Sequence, residues 1–230
     1  MITKAEPPRN RLLAGLPAEE MKRLRAHLEF VHTPLRTVLY EAEQQADYAY
    51  FPDDAVISLL AVLESGKTVE VTLIGNEGVL GIHAALGGTM AVHAAVAQVP
   101  GSCWKIKADV LRTEFQRGGV LHERLLDYTL SLLAQLSRTA ACNRVHLLEQ
   151  RMARWLLMAY DRTQRQEFPM THEFLSHMLG SPRSEITLAA GSLRKAGLIH
   201  YSRGKIKILD PQGLQSRACE CYRADLASRR

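Results

Sequence analysis

The sequence predicts an α+β fold in three parts: a strand-rich N-terminal half, one long helix, and a C-terminal helical region carrying a β-hairpin. Three observations carry this. Between Pro34 and Lys107 the apolar period is two, and Gly, Pro and Asp punctuate the runs. From Val120 to about Val145 leucines recur at three- and four-residue spacing without a break. Between Met170 and Asp210 two short helical patterns are separated by a glycine and followed by two alternating runs around Ser202-Arg203-Gly204.

In chain order, residues 10–30 read as a short amphipathic helix. Leu16-Pro17-Ala18-Glu19-Glu20 is a start signal, and Met21, Leu24 and Leu28 recur at helical spacing. Strands are expected at Thr37–Glu41, Tyr48–Phe51, Val56–Glu64, Thr68–Ile74, Met90–Val99 and Cys103–Lys107. So many short strands argue for a β-barrel, sandwich or roll. Ala108–Arg117 reads as a helix stopped by Gly118-Gly119. In the long helix that follows, Leu121, Leu125, Tyr128 and Leu132 form one seam, and Leu126, Leu130, Leu133 and Leu136 widen it. One seam can pack on the β region; the other needs a further partner, and a second copy of the chain supplies one.

Glu149–Tyr160 is a further amphipathic helix. Thr171 then caps a helix with Phe174, Leu175, Met178 and Leu179 as its apolar stripe, and Gly180 stops it. Ser181-Pro182 reads as N-cap and first residue of the next helix. There Ile186, Ala189, Ala190 and Leu193 face one way, and Arg183, Ser184 and Thr187 the other. Gly197 ends it, and Leu198–Tyr201 with Lys205–Ile208 form the hairpin. Two helices, a glycine turn and a basic wing make a winged helix-turn-helix. Leu214–Leu226 is a last, weaker helical stretch.

Charge separates this pattern from an ordinary pair of hairpins. Residues 151–230 carry 14 Lys and Arg against 7 Asp and Glu, while residues 1–150 carry 15 against 17. The chain's excess of +5 therefore comes from the C-terminal part, as neutralising phosphates requires. The N-terminus lacks the apolar core of a signal peptide, and Ala55–Leu63 is too short to span a bilayer, so a cytoplasmic chain with reduced cysteines and no membrane partner is expected. Enzymatic motifs fail. His172-Glu173 with His177 is one residue too long for a zinc-protease pair, there is no G-x-S-x-G, and the glycines at 75, 78 and 81 lack dinucleotide-loop spacing.

The order of parts resembles the cyclic-AMP receptor protein/fumarate-nitrate regulator (Crp/Fnr) superfamily of bacterial transcription factors. The resemblance lies in Thr171-His-Glu-Phe-Leu, Leu179-Gly-Ser-Pro-Arg-Ser-Glu-Ile and Leu193-Arg-Lys-Ala-Gly-Leu-Ile, with support from Leu12–Pro17, Val38–Glu41 and Arg151–Leu157. It implies a β-roll of double-stranded β-helix (jelly-roll) type over residues 1–118, a dimerisation helix over 119–147 and a winged helix-turn-helix over 148–230. It further implies a homodimer through Leu121, Leu125, Tyr128, Leu132 and Leu136, a pseudo-palindromic site on double-stranded DNA, and RNA polymerase as a partner. Arg183 matches the family's guanine-reading arginine. Ser184, Thr187 and Leu188 would tune specificity, and Thr171, Ser181, Arg203 and Lys205 match positions near the phosphate backbone.

The effector site departs from the cyclic-nucleotide pattern. Aligning on Gly81 puts Ile82 at the family's ribose-binding acid, Val92 at its phosphate-binding arginine and His93 at its hydroxyl, with His83 adjacent. A buried phosphate without a cation is costly, so the expected ligand is not cyclic AMP. No cofactor is expected. Cys219-x-Cys221 offers two thiols, which alone do not complete a metal site; no cysteine falls in the N-terminal segment where iron–sulfur members hold their cluster; and haem on His83 or His93 has no further support. The alternative reading is a ligand-sensing β-roll whose C-terminal helices dock a protein.

Overall fold

The computed structural model describes residues 7–163 and 165–227. In order, its elements are α1 (Arg11–Ala14), α2 (Ala18–Arg25), β1 (Glu29–Thr33), β2 (Val38–Tyr40), β3 (Tyr48–Pro52), β4 (Val56–Val62), β5 (Thr68–Ile74), α3 (Ile82–Ala85), β6 (Ala94–Val99) and β7 (Gly101–Lys107). There follow α4 (Ala108–Gln116), α5 (Val120–Val145), α6 (Leu148–Thr163), β8 (Glu167–Pro169), α7 (His172–Leu179), α8 (Arg183–Lys195), β9 (Ile199–Ser202), β10 (Lys205–Ile208), α9 (Pro211–Arg217) and α10 (Cys221–Ala227). Contacts divide the chain into two compact units, Met1–Ile57 with Ile74–Leu130, and Ser58–Leu73 with Ser131–Arg230. The end of β4 and most of β5 thus belong with the C-terminal part.

In the first unit β7 is the centre of an antiparallel sheet ordered β1-β7-β3, and β2 pairs antiparallel with β6. A buried polar cluster fixes how the chain enters it. Asn10 Oδ1 caps α1 by accepting from the Leu12 and Leu13 amides, and its Nδ2 donates to Pro52 O and Gly78 O at 2.9 and 2.8 Å. Asp53 accepts from the Asn10 amide and from Trp104 Nε1. Each of these polar groups is therefore paired as burial requires. Gly118 and Gly119 both have positive φ, and the Glu20 carboxylate beyond them accepts from the Val120 and Leu121 amides. A negative charge on the open N–H groups of a helix start is favourable, and α5 begins there. Leu121, Leu125 and Tyr128 are buried in this unit, as are Phe51, Ile106 and Leu111.

The second unit packs α6, α7, α8 and α9 around Met152, Leu156, Leu175, Ile186, Leu193 and Leu214, all fully buried. Its sheet runs β8-β10-β9. Glu70, on β5, is buried and receives hydrogen bonds from Ser58 Oγ at 2.6 Å and Trp155 Nε1 at 2.8 Å. Burial pushes its carboxyl up to about 7, against the pull of those bonds and of Arg162 and Arg154.

Several expected elements differ. The single helix at 10–30 is two, because Pro17 restarts the chain as the extended cap of α2, and Glu29–Thr33 leaves the helix to pair with β7. Val92 and His93 lie in a bend; the strand expected from Met90 starts only at Ala94. The C-terminal stretch is broken at Ala218, whose backbone is extended. Among the described residues no helix is long and apolar enough to cross a membrane.

Candidate nucleic-acid interface and effector domain

The helix pair is built from its caps inward. Thr171 Oγ1 accepts from the Phe174 amide at 3.1 Å, and Leu175, Met178 and Leu179 bury one side of α7. Gly180 adopts φ 57°, the left-handed conformation a side chain would resist, and lets the Ser181 amide reach Ser176 O at 3.1 Å. Ser176 Oγ donates to Ser181 O across the same turn at 2.6 Å. Ser181 is not the cap of α8. Its hydroxyl turns back to Leu179 O, and Pro182 precedes the first helical residue, Arg183. No side chain caps α8.

Along α8, Ile186, Ala189, Ala190 and Leu193 are buried, whereas Arg183, Ser184, Thr187 and Leu188 are exposed on the other face. Leu188 is 75% exposed. Thr187 is partly occupied: its hydroxyl donates to Arg183 O at 2.9 Å, so it can only accept from His172 Nδ1, 3.0 Å away. The His172 ring also stacks on Tyr201 with centroids 4.2 Å apart. Burial first, and then the charge of Arg183, pushes its pKa down, so His172 acts as a neutral brace from α7 to α8 and the wing. The sequence reading passed over this residue, because its only visible signal was a failed metal motif.

The wing tip is a two-residue turn in which Arg203 and Gly204 both have positive φ, the conformation that matches strand twist in a tight hairpin. Arg203 is exposed at that tip. Lys205 pairs with Glu167 of β8 at 2.9 Å, which tempers its charge. β8 itself, paired with β10, was not expected from sequence.

In the first unit Gly81, with φ 96°, starts α3 against the Tyr40 hydroxyl, which donates to Tyr48 O. Ile82 and His83 are half-buried on α3. His83 sits edge-on to Tyr40 at 5.8 Å, and its Nε2 is buried with no hydrogen-bond partner among the described residues. Burial pushes both His83 and His93 down. Val92 is 74% exposed, so the five residues expected to form one pocket divide between an inward group and an outward one. Arg112 was missed by sequence reasoning. It donates from Nε to Ala84 O at 3.1 Å and from Nη2 to Gly88 O at 3.2 Å, holding the α3 loop in place.

Comparison with known proteins agrees with both halves. Residues 30–117 match the model of the cyclic nucleotide-binding domain, and residues 150–217 match that of the Crp-like helix-turn-helix domain. The chain belongs to the Crp/Fnr family. Its members are DNA-binding transcription regulators with an effector-binding domain, not enzymes. The helix-turn-helix match favours DNA over the protein-docking alternative. No match was found among curated proteins.

Solved structures of low identity share the fold. FixK2 from Bradyrhizobium japonicum aligns at 16% identity and TM-score 0.70, over 84% of this chain and 98% of that one. A Crp/Fnr-family protein from Eubacterium rectale aligns at 18% and 0.68, over 90% and 97%. A Crp/Fnr-family regulator from Thermus thermophilus aligns at 24% and 0.66, over 83% and 98%.

The α5 seam expected to pair two copies is not the one the structure leaves open. Leu121, Leu125 and Tyr128 are covered by the chain's own first unit, and Leu132 and Leu136 are half-buried. The leucines of α5 left open are Leu126, Leu130 and Leu133, the last two 67% and 55% exposed, spaced four and three apart. Of the four cysteines, Cys103 is buried in β7 beside Thr33. Cys142, Cys219 and Cys221 lie together in the second unit.

Proposed function

We propose that this Crp/Fnr regulator acts as a homodimer on a pseudo-palindromic operator, each α8 entering a major groove one helical turn from the other. The observation that carries this is the division of α8 into a buried face of Ile186, Ala189, Ala190 and Leu193 and an exposed face led by Arg183. Arg183 reads a base, most simply guanine through O6 and N7. Ser184, and Leu188 through a thymine methyl, tune the choice. Thr171, Ser181, Arg203 and Lys205 lie on the surrounding cap, turn and wing, where contacts to phosphate set register. The two copies associate through Leu126, Leu130 and Leu133, with Leu132 and Leu136 at the margin. RNA polymerase is the expected partner on the promoter.

The effector domain takes a ligand other than cyclic AMP. What supports this is the apolar side chain at both aligned positions that would hold ribose and phosphate, Ile82 and Val92, with Val92 exposed. The unpartnered Nε2 of His83 offers a polar anchor inside the roll.

The test is Arg183→Ala in equilibrium binding to a selected operator. Affinity should fall by about 1–3 kcal/mol, roughly 5- to 160-fold, with discrimination relaxed at one base per half-site. Unchanged affinity and unchanged preference would remove Arg183 from the reading.

A further inference from the structure

Cys142 lies in the last turn of α5, and His146 is the first residue beyond that helix, its amide still donating to Cys142 O at 3.1 Å. Cys219 follows α9, and Cys221, one residue further on from Glu220, is the first residue of α10. The fold brings these two pairs together. Cys142 Sγ lies 3.5 Å from Cys219 Sγ, Cys221 Sγ lies 3.8 Å from His146 Nδ1, and one donor atom from each of the four residues falls within 4.8 Å of all the others. The three sulfurs are buried.

These separations select the kind of ligand. A tetrahedral ion with bonds of about 2.0–2.3 Å holds neighbouring donor atoms roughly 3.5–3.8 Å apart. A disulfide would need its sulfurs at about 2.05 Å, and a cluster, whose thiolates bind separate irons, would spread them wider. The second independent observation is outside the quartet. Glu220, the residue between the two cysteines, places Oε1 3.1 Å from His146 Nε2. A carboxylate there accepts the Nε2 proton, fixes the tautomer and leaves the Nδ1 lone pair facing the sulfurs, as in the carboxylate–histidine–metal arrangement.

We propose that Cys142, His146, Cys219 and Cys221 form a mononuclear Cys3His site for a tetrahedral soft divalent cation, zinc, with Glu220 as the partner of the histidine. Binding expels the remaining thiol protons to solvent. Cys142 and Cys219 bracket residues 150–217, the whole helix-turn-helix match. The ion therefore joins the two ends of the DNA-binding module and restricts its unfolded chain as a long-loop crosslink does. α10 has a second anchor: buried Asp225 takes Arg138 Nε at 2.9 Å and Arg154 Nε at 2.8 Å.

The test uses the full chain, purified reduced and without chelator. Elemental analysis should find about one zinc per chain. After zinc removal, cobalt(II) titration should saturate near one equivalent, with the intense visible d–d bands of a tetrahedral thiolate site that added zinc abolishes. His146→Gln, a substitution near the surface, should weaken zinc binding at least about tenfold, Cys219→Ser should abolish the cobalt spectrum, and Cys103→Ala should leave it intact. Zinc should raise the melting temperature of the wild type and not that of Cys219→Ser. A reduced wild-type chain that takes up no cobalt with tetrahedral character would overturn the proposal, whatever the variants do. So would iron with labile sulfide in the isolated protein, or loss of the spectrum in Cys103→Ala alone.

Discussion

At the scale of single residues, the second unit encloses a carboxyl that burial pushes far above its ordinary range. Glu70 is fully enclosed, and burial holds it near 7 against an ordinary 4.5. The unfolded chain ionises first as pH rises, so stability conferred by the protonated form is complete below about 4.5 and is lost as pH climbs through about 7. The difference amounts to about 3 kcal/mol. Glu70→Gln removes the charge and keeps an acceptor for Trp155 Nε1, with the Ser58 hydroxyl turning to accept from the new amide. Denaturant midpoints of the two proteins should be close at pH 5, with the variant clearly more stable at pH 8; parallel pH profiles would refute the neutral carboxyl. His172 is the other residue whose role is local. His172→Ala removes both the bond to Thr187 and the stack on Tyr201, and should weaken operator binding without relaxing the preference at the base read by Arg183. A change of base preference would make His172 a reader instead.

Legibility in the sequence also divides at this scale. Arg183 was visible because the helix period puts it on the exposed face, although the cap expected of Ser181 is absent. Thr171 and Gly180 were visible because capping and positive φ are local demands. The metal quartet was not. Cys142 and His146 offered only an i, i+4 spacing, and nothing local says that the chain 77 residues on returns Cys219 to the same point.

At the scale of elements, α5 was the best predicted, since 26 residues at one period leave little room for error. The failures were short pieces. β1 follows α2 so closely that Leu28 and the apolar residues after it read as more helix, and only pairing with β7 makes Glu29–Thr33 a strand. α3 has four residues, too few for a period. The faces of α5 could not be told apart in sequence, because both seams are leucine-rich; burial against the first unit decides between them. Leu130→Glu with Leu133→Glu should convert a sedimenting dimer to a folded monomer, as both side chains are exposed in the single chain. Leu125→Ala should instead destabilise the first unit by about 2–5 kcal/mol, because Leu125 is fully buried there. A double variant that still sediments as a dimer would place the interface elsewhere.

At the scale of the molecule, charge and family agree on one partner. The C-terminal 80 residues carry all the net positive charge, and the helix-turn-helix match lies within them. Affinity for DNA should therefore fall by orders of magnitude between about 50 and 200 mM salt, as counterions compete for the phosphates. The most direct measurement is an unbiased selection from random double-stranded DNA with the full-length chain. It should return an inverted repeat with half-sites centred about 10 base pairs apart, whose consensus loses one position when selection is repeated with Arg183→Ala. A selection that enriches no sequence, or a lone half-site bound by one chain, would contradict a dimer that reads DNA through α8.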